Sequence, residues 1–375
     1  MLAHKASFHA PSRSRRPSRW YPCWAGIARA NPLGSARKAC RARTLDAIST
    51  AVTFNGPAAG TVTGPAAGVV IGGCRVLAGA SSWADRSLVR DGGFYPSRSL
   101  SAAQRLAYYT SRLPLAEIAT TYRFPPTPEL AKRWAATTPP GFTLDVRAWS
   151  LLCGAPTWPE SLWPDLQGHV KPSRREATKL YRQRLPASIV DECWARFNHA
   201  LRPLADAGRL GVVIVRFPTW FSPKAAAWKE LAELPSRLPG LRVAVELSNE
   251  RWFEGDACEQ TLGVLEEIGL SFVCRQSSTP TKPVIAATAD IALVRFPGHP
   301  PRLASQAGTQ SETLADKLTW WGPLHRYSEA ELAAWVPAVR DLASSSSEVH
   351  MIMDNCWRTN AVDNAASLLG LLASS

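Results

Sequence analysis

Eight short apolar runs, rich in Val, Ile and Leu, alternate with longer stretches of helical period from Gly73 onward. This alternation is typical of βα units that form a parallel sheet. The predicted strands are 75–80, 115–120, 142–147, 211–217, 241–247, 270–275, 290–296 and 348–354. Eight is the number of strands that closes a TIM barrel. The sequence therefore predicts an α/β fold, a TIM-barrel-like (β/α) barrel.

Helical stretches fill most gaps between these runs, and two of them have clear start signals. Ser222 precedes Pro223, and Ser328 precedes acidic residues, as expected at helix N-termini. The seven predicted helices are 101–112, 127–137, 188–207, 222–234, 256–268, 329–343 and 362–373. Two insertions rich in Trp and Pro, 150–186 and 298–327, occupy βα-loop positions. In a barrel they would cover the C-terminal mouth, where TIM-barrel sites lie.

The first 73 residues differ in kind from the rest. They are rich in Ala, Arg, Pro, Ser and Gly, with no period that would bury a face. We expect a disordered basic leader over 1–73 and a single barrel domain over 74–375. The formal net charge is +13, but residues 1–45 hold ten basic side chains and no acid, so the remainder carries only +3. A transit peptide, an upstream start codon and a nucleic-acid-binding arm all stay open for the leader.

The sequence lacks the motifs that several common kinds of site and reaction require. The eight cysteines form no C-x-x-C pair, which favours reduced thiols and a cytoplasmic location. The sequence contains no G-x-x-x-x-G-K-[ST], H-E-x-x-H or G-x-S-x-G pattern, and no apolar window of about 18 residues. Among strand ends only Glu246, Asp354 and Glu117 could serve as metal ligands. The sequence therefore predicts no metal, no cofactor and no membrane association.

Several segments resemble the YecE-like domain-of-unknown-function family 72. They are GASSWADRSL, GGFYP, RLAYYTSRLPLAEIATTYRFPPTPE, RWAATTPPGFTLDVRAWSLL, VVIVRFPTWF, RVAVELSNERWF, ADIALVRF, YSEAEL and DNCWRTNAVDNA. Their order and spacing agree from about Arg75 to Leu372. The resemblance implies a TIM-barrel-like fold and a family without an established activity, so it constrains architecture more than function.

The resemblance also implies which residues line or support a pocket. The matching positions are Ser82, Trp83, Asp85, Glu117, Tyr122, Glu246, Trp252, Phe253, Asn355 and Asn364. The chain departs from the family at polar positions. These departures are Ala119 for an acid or amide, Arg216 for Gln, Ser248 for Arg, Pro297 for His, and Asp354-Asn355-Cys356 for an asparagine run. The resemblance therefore does not extend to an activity that needs those groups.

Strand parity independently places charged side chains inside the barrel. With the bulky apolar residues facing the helices, the inward residues are Glu117, Asp145, Arg147, Arg216, Glu246, Arg275, Arg295 and Asp354. One interpretation is a structural network in which acids and arginines satisfy one another. In the other, some arginines face the mouth and bind a phosphate or carboxylate, with Glu246 or Glu117 as general acid or base.

Aromatic residues and one cysteine follow the strands. Trp83, Trp149, Trp220, Trp252 and Trp357 all come just after predicted strands. They either ring the opening, where they would stack on sugars or bases, or pack the loops onto the barrel. Cys356 is either a nucleophile at the mouth or an inert thiol.

The sequence thus predicts a barrel that binds a small polar or anionic ligand at its C-terminal mouth, with hydrolase or isomerase chemistry as the candidate reactions. The alternative is a non-catalytic nucleic-acid-associated or interaction protein, built on a degenerate enzyme scaffold, whose basic tail contacts nucleic acid. Glu246 and Glu117 are the predicted catalytic residues. The predicted ligand-binding residues are Ser82, Trp83, Asp85, Tyr122, Arg147, Arg216, Arg295, Trp252, Asp354 and Asn355.

Overall fold

All eight predicted strands form in the computed structural model, which describes residues 43–44, 67–170, 179–276, 283–298 and 324–374. The barrel strands are β3 (Cys74–Ala80), β4 (Leu115–Ile118), β5 (Thr143–Arg147), β6 (Leu210–Phe217), β7 (Val243–Leu247), β8 (Ser271–Arg275), β10 (Ile291–Phe296) and β11 (Glu348–Met353). Neighbouring strands are parallel, and β11 pairs with β3 from Glu348↔Arg75 to Met353↔Ala80. That last pairing closes the barrel and confirms the predicted fold class.

Ten α-helices lie among the described residues. They are α1 (Arg86–Arg90), α2 (Ala102–Thr110), α3 (Pro128–Thr137), α4 (Pro164–Gln167), α5 (Ala187–Asp206), α6 (Ala225–Arg237), α7 (Ala257–Glu267), α8 (Glu329–Ala333), α9 (Val336–Ala343) and α10 (Asn360–Ser374). Each predicted helix has a counterpart, but the one expected over 329–343 is divided into α8 and α9. Pro337 lies in the first turn of α9, where its missing N–H costs little, whereas it would interrupt a continuous helix.

The start of α6 also differs from the prediction. Ser222 and Pro223 were expected to open this helix, yet it begins at Ala225 with Lys224 at the N-cap and no side-chain cap. In contrast, Ser328 caps α8 as predicted, and Glu331 completes a capping box with it. Ser101 and Gln104 form the same box at α2.

The barrel interior is built in layers. A compact apolar layer separates the charged side chains near the carboxyl ends of the strands from those nearer the amino ends. The layer consists of Leu77, Leu115, Val212, Ile214, Ala244, Val273, Ile291, Leu293 and Ile352. The outward strand residues pack against the helices in a second, larger core. Gly79 allows β3 and β4 to approach closely, because a Cβ there would lie 1.8 Å from the Leu115 carbonyl oxygen. The charged side chains on the carboxyl-terminal side of this layer therefore lie at the C-terminal mouth.

Part of the predicted leader belongs to the fold. Residues Val69–Ile71 form β2, which pairs antiparallel with β3, and Arg43–Thr44 form β1, which pairs antiparallel with β9 (Val284–Ile285). The barrel unit therefore includes residues before position 74, which is the start that the sequence predicts. The other predictions for the leader, and those for 171–178 and 299–323, lie outside the described residues. Within the described part of the chain, no helix has the length and apolarity needed to cross a bilayer.

Candidate functional site

Charged residues from six strands and one strand exit meet at the C-terminal mouth, and we call them the mouth cluster. Its members are Glu117, Arg147, Arg216, Glu246, Arg275, Arg295 and Asp354. The cluster follows from the period of two along each strand: apolar outward residues face the helices, so the alternating charged residues face the axis. Parity thus placed these seven side chains correctly.

Glu117 lies at the centre of the cluster and is fully buried. Arg147 donates to it through Nε at 2.8 Å and through a second nitrogen at 2.9 Å. Arg295 donates to the same two oxygens at 2.8 and 3.1 Å. Two bidentate pairs therefore saturate this carboxylate, as a structural network would require.

Glu246 is equally buried but only half satisfied. Its Oε2 accepts a hydrogen bond from Nε of Arg295 at 2.7 Å. Its Oε1 lies 3.2 Å from Nε of Arg216, within ion-pair distance, yet it accepts no hydrogen bond from the residues that the structure describes. A buried carboxylate oxygen without a donor is costly, so this atom marks a position where a ligand donor or a water would bind.

Asp354 joins the buried ion pairs of the mouth cluster at longer distances. Arg147 and Arg295 each approach it to 3.6 Å, and Ser81 donates to its Oδ1 at 2.5 Å. The Ser81 hydroxyl also lies 3.3 Å from Sγ of Cys356. Burial, reinforced by the charge of Asp354, raises the pKa of Cys356 to about 12. Cys356 is therefore a protonated thiol at neutral pH, which favours the inert alternative over the nucleophile.

The mouth cluster carries an excess of positive charge at its open end. It has four arginines and three carboxylates, and the inner members pair closely. The Arg216 side chain is 33% exposed, and Arg275 is exposed at the end of β8. The closed ionic network expected from the sequence is present among the inner residues, whereas the guanidiniums of Arg216 and Arg275 face solvent, and anion binding by them stays a prediction.

The two glutamates remain ionised at neutral pH. Burial alone would raise the pKa of Glu117, but the charges of Arg147 and Arg295 outweigh it and lower that pKa to about 2. For Glu246, burial is likewise outweighed, chiefly by Arg295 and Arg216, and the pKa is lowered. Neither carboxyl is suited to act as a general acid. Glu117 has in addition no free oxygen for a substrate, which disfavours the catalytic role predicted for it.

Asp145 points inward as predicted but lies away from the mouth. Its carboxylate contacts Nδ1 of His350 at 3.0 Å and accepts a bond from the Val212 amide at 3.0 Å. Nε2 of His350 contacts Glu348 at 3.0 Å on the other side. Gly211 makes room for this arrangement, since a Cβ there would lie 2.2 Å from Oδ1 of Asp145.

The first family signature has structural roles near the mouth. Asp85 caps α1 by accepting from Ser87 and Leu88, and the Ser82 hydroxyl accepts from the Ala84 amide in a turn. Trp83 is buried. All three side chains shape the loop that follows β3, and their role as ligand contacts stays a prediction.

Two further predicted contacts face the protein rather than the mouth. Trp252 is fully buried, donates its indole N–H to the Phe221 carbonyl at 2.6 Å and packs on the Phe221 ring. Asn355 is also fully buried and donates to His325 and Asn364, with Asn364 also holding the Tyr327 backbone. Both residues position loops at the C-terminal end.

Tyr122 is the remaining predicted contact, and it lies half-buried beside the cluster. Burial raises the pKa of its phenol, and the charges of Arg216 and Arg147 offset only part of that rise. The prediction missed Ser81 and His350 as interior residues. Ser81 and His350 share the inward parity of β3 and β11, so the same rule applied to uncharged and titratable side chains would have found them.

The described residues contain no group of three or more His, Cys, Asp or Glu side chains placed to hold a metal ion. The cations at the mouth are guanidiniums, which hold carboxylates and phosphates through paired N–H donors. The arrangement is therefore suited to polar and anionic ligands.

Comparison with known proteins identifies relatives over most of the chain. The UPF0759 protein YunF of Bacillus subtilis (strain 168) is 25% identical over 316 residues, which cover 79% of this chain and 94% of YunF. A crystal structure of a DUF72 family protein from Enterococcus faecalis V583 matches with a TM-score of 0.60 and 22% identity, covering 79% of this chain and 95% of that one.

A second solved structure, a DUF72 family protein from Thermotoga maritima MSB8, matches with a TM-score of 0.57 and 22% identity over 79% of this chain and 98% of that one. Both structures share the barrel fold. The family described as "Protein of unknown function DUF72" matches residues 77–375, nearly the whole barrel. The chain therefore belongs to the DUF72 family.

Proposed function

We propose that this protein binds a small anionic ligand that also carries a hydrogen-bond donor, at the C-terminal mouth of its barrel. The observation that supports this most is the pairing of an unsatisfied, buried carboxylate oxygen on Glu246 with the partly exposed guanidinium of Arg216 beside it. A cation and an acceptor side by side are complementary to a ligand with an anionic group next to a hydroxyl or amine.

Arg216 and Arg275 are the proposed anion contacts. The inner arginines already hold carboxylates, whereas these two lie at the solvent side and carry the excess charge of the cluster. A guanidinium presents several N–H donors in a fixed plane, which suits carboxylate and phosphate groups. The ligand anion would therefore complete the charge balance of the mouth.

Glu246 is the proposed acceptor for the ligand donor. Arg295 fixes its carboxylate through Oε2, which leaves Oε1 oriented but without a donor in the described part of the chain. Since the lowered pKa keeps Glu246 ionised, a reaction at this mouth, of the hydrolase or isomerase type, would use it as a base. Arg147, Arg295 and Asp354 support this geometry from below.

Binding should weaken about tenfold or more when Arg216 is replaced by Ala, because a hydrogen bond to a charged group contributes roughly 1.5–3 kcal/mol. Titration calorimetry with ribose 5-phosphate, inorganic phosphate and citrate measures this effect. Arg133→Ala on the exposed face of α3 is the matched control and should leave affinity unchanged. A folded wild-type protein that binds none of these anions, or binds them equally well without Arg216, would refute the proposal.

A further inference from the structure

We infer that the anion bound at the mouth belongs to a nucleoside phosphate, whose flat base stacks on a tryptophan at the rim. This inference rests on the proposed function and names its ligand class. The described residues include six exposed large hydrophobic side chains. Five of them lie on segments that follow barrel strands: Phe124, Trp158, Trp220, Leu324 and Trp357. Exposed apolar surface is therefore concentrated at the end of the barrel that holds the mouth cluster.

Trp220 is exposed although its loop is firmly anchored. The Asn249 side chain donates to the carbonyl of Thr219 at 2.5 Å, and Trp252 donates to the carbonyl of Phe221. The Phe221 ring stacks on Phe217 with centroids 3.8 Å apart. Both neighbours of Trp220 are thus fixed, while Trp220 itself is 60% exposed, four residues beyond Arg216. A rigid loop that presents one bare indole is a preformed stacking platform.

Trp357 is presented by a strained loop. The next residue, Arg358, has a φ of 49°, the left-handed region that side chains other than Gly rarely adopt. Its amide donates to the Ser87 hydroxyl at 2.7 Å, and Ser87 in turn donates to Asp85 at 2.6 Å. This chain of bonds maintains the strain and leaves Trp357 42% exposed, three residues beyond Asp354. Backbone strain of this kind is concentrated at functional sites.

The two tryptophans lie on opposite sides of the barrel. In the closed ring of eight strands, β6 and β11 are four strands apart in either direction. The loop of Trp220 follows β6, and the loop of Trp357 follows β11. A ligand whose anion binds at Arg216 and Arg275 therefore has an indole available on the near rim and a second one across the opening.

A base fits this combination better than a phosphorylated sugar alone. Every nucleobase has a π face, so stacking on indole needs no hydrogen-bond pattern, and each stack contributes a substantial part of the affinity. The phosphate would neutralise the excess charge of the cluster, and a ribose hydroxyl would donate to Oε1 of Glu246. A sugar phosphate would use the charged groups but leave both indoles exposed.

The experiment compares adenosine 5′-monophosphate with ribose 5-phosphate by titration calorimetry on the full chain. The nucleotide should bind about tenfold or more tightly than the sugar phosphate, because stacking is added to the same anion contact. Either Trp220→Ala or Trp357→Ala should remove most of that difference, according to the side of the opening that the base occupies, and both should leave ribose 5-phosphate binding unchanged. Trp158→Ala is the matched control: this ring is 40% exposed on the same end, but Nζ of Lys179 lies 2.8 Å from its centre, much closer than Arg358 lies to the Trp357 ring, at 6.0 Å.

The outcomes separate the two proposals. Equal affinities for the nucleotide and the sugar phosphate, or a nucleotide advantage that survives both tryptophan replacements, would overturn the base-stacking inference alone. An advantage for glucose 6-phosphate that depends on Trp220 would also overturn it, since a pyranose would then be the stacked ring. Failure of Arg216→Ala to weaken any of these ligands would instead refute the anion site itself.

Discussion

Replacing Arg295 by Met is expected to lower the free energy of unfolding by about 3–5 kcal/mol, because it leaves buried carboxylates without their counter-ion. Arg295 is fully buried and donates to both oxygens of Glu117 and to Oε2 of Glu246. Met occupies a similar volume but donates nothing, so Glu246 would lose the Arg295 hydrogen bond to its Oε2. Urea unfolding of the wild-type and variant proteins at pH 7 measures the difference.

Two further variants separate this mechanism from a general loss of packing. Arg275→Met removes a guanidinium from the exposed end of the same cluster and should change stability by less than about 0.5 kcal/mol. Adding Glu117→Gln and Glu246→Gln to Arg295→Met should recover part of the loss, since the stranded charges are then gone. If Arg295→Met costs no more than Arg275→Met, the ionic network does not stabilise the barrel.

The fold could be predicted from the sequence because strand and helix periods are local properties. The strands predicted at 211–217 and 290–296 differ from β6 and β10 by one residue. Parity then placed Glu117, Glu246 and Arg295 inside, since their neighbours are apolar and need the helical shell. Predicted helix boundaries are wrong where several local signals compete, as at Pro337, near which one predicted helix is divided into two.

The level along the barrel axis at which an inward side chain lies could not be predicted in the same way. Asp145 and Arg147 share one parity on β5, yet Asp145 bonds to His350 and Arg147 bonds to Glu117. Which side chains meet depends on the stagger between strands, and that stagger is a property of the closed ring. The irregular register between β5 and β6, after Leu144, illustrates why sequence spacing alone is insufficient.

The tryptophans illustrate a second limit. Trp149 and Trp220 each follow a strand by a few residues, yet Trp149 is fully buried and donates to Ser161 at 3.2 Å, whereas Trp220 is exposed. Packing of the loops therefore accounts for Trp149, whereas a rim of stacking rings that includes Trp220 stays a prediction. Loop packing decides between them, and it depends on contacts between segments far apart in sequence.

The stability of the protein is expected to fall by about 3 kcal/mol as pH rises from 6.5 to 9, owing to His350. This imidazole is fully buried between Asp145 and Glu348, and Glu348 is in turn 3.8 Å from Arg75. Burial alone would lower its pKa, but the two carboxylates raise it to about 9. The folded protein thus holds a proton that the unfolded chain releases near pH 6.5, so this contribution is complete below pH 6.5 and lost through pH 9.

Urea unfolding of wild-type, His350→Gln and His199→Gln proteins at pH 6 and pH 9.5 isolates this contribution. At pH 6 the His350→Gln protein should be less stable by about 3–5 kcal/mol, because Asp145 then lacks its cation. At pH 9.5 the gap should narrow by about 3 kcal/mol, since the wild-type imidazole has itself lost its charge. His199 is exposed on α5, and its replacement should leave the pH dependence unchanged. A gap of equal size at both pH values would show that His350 is neutral in the folded barrel and that packing, not charge, accounts for its position.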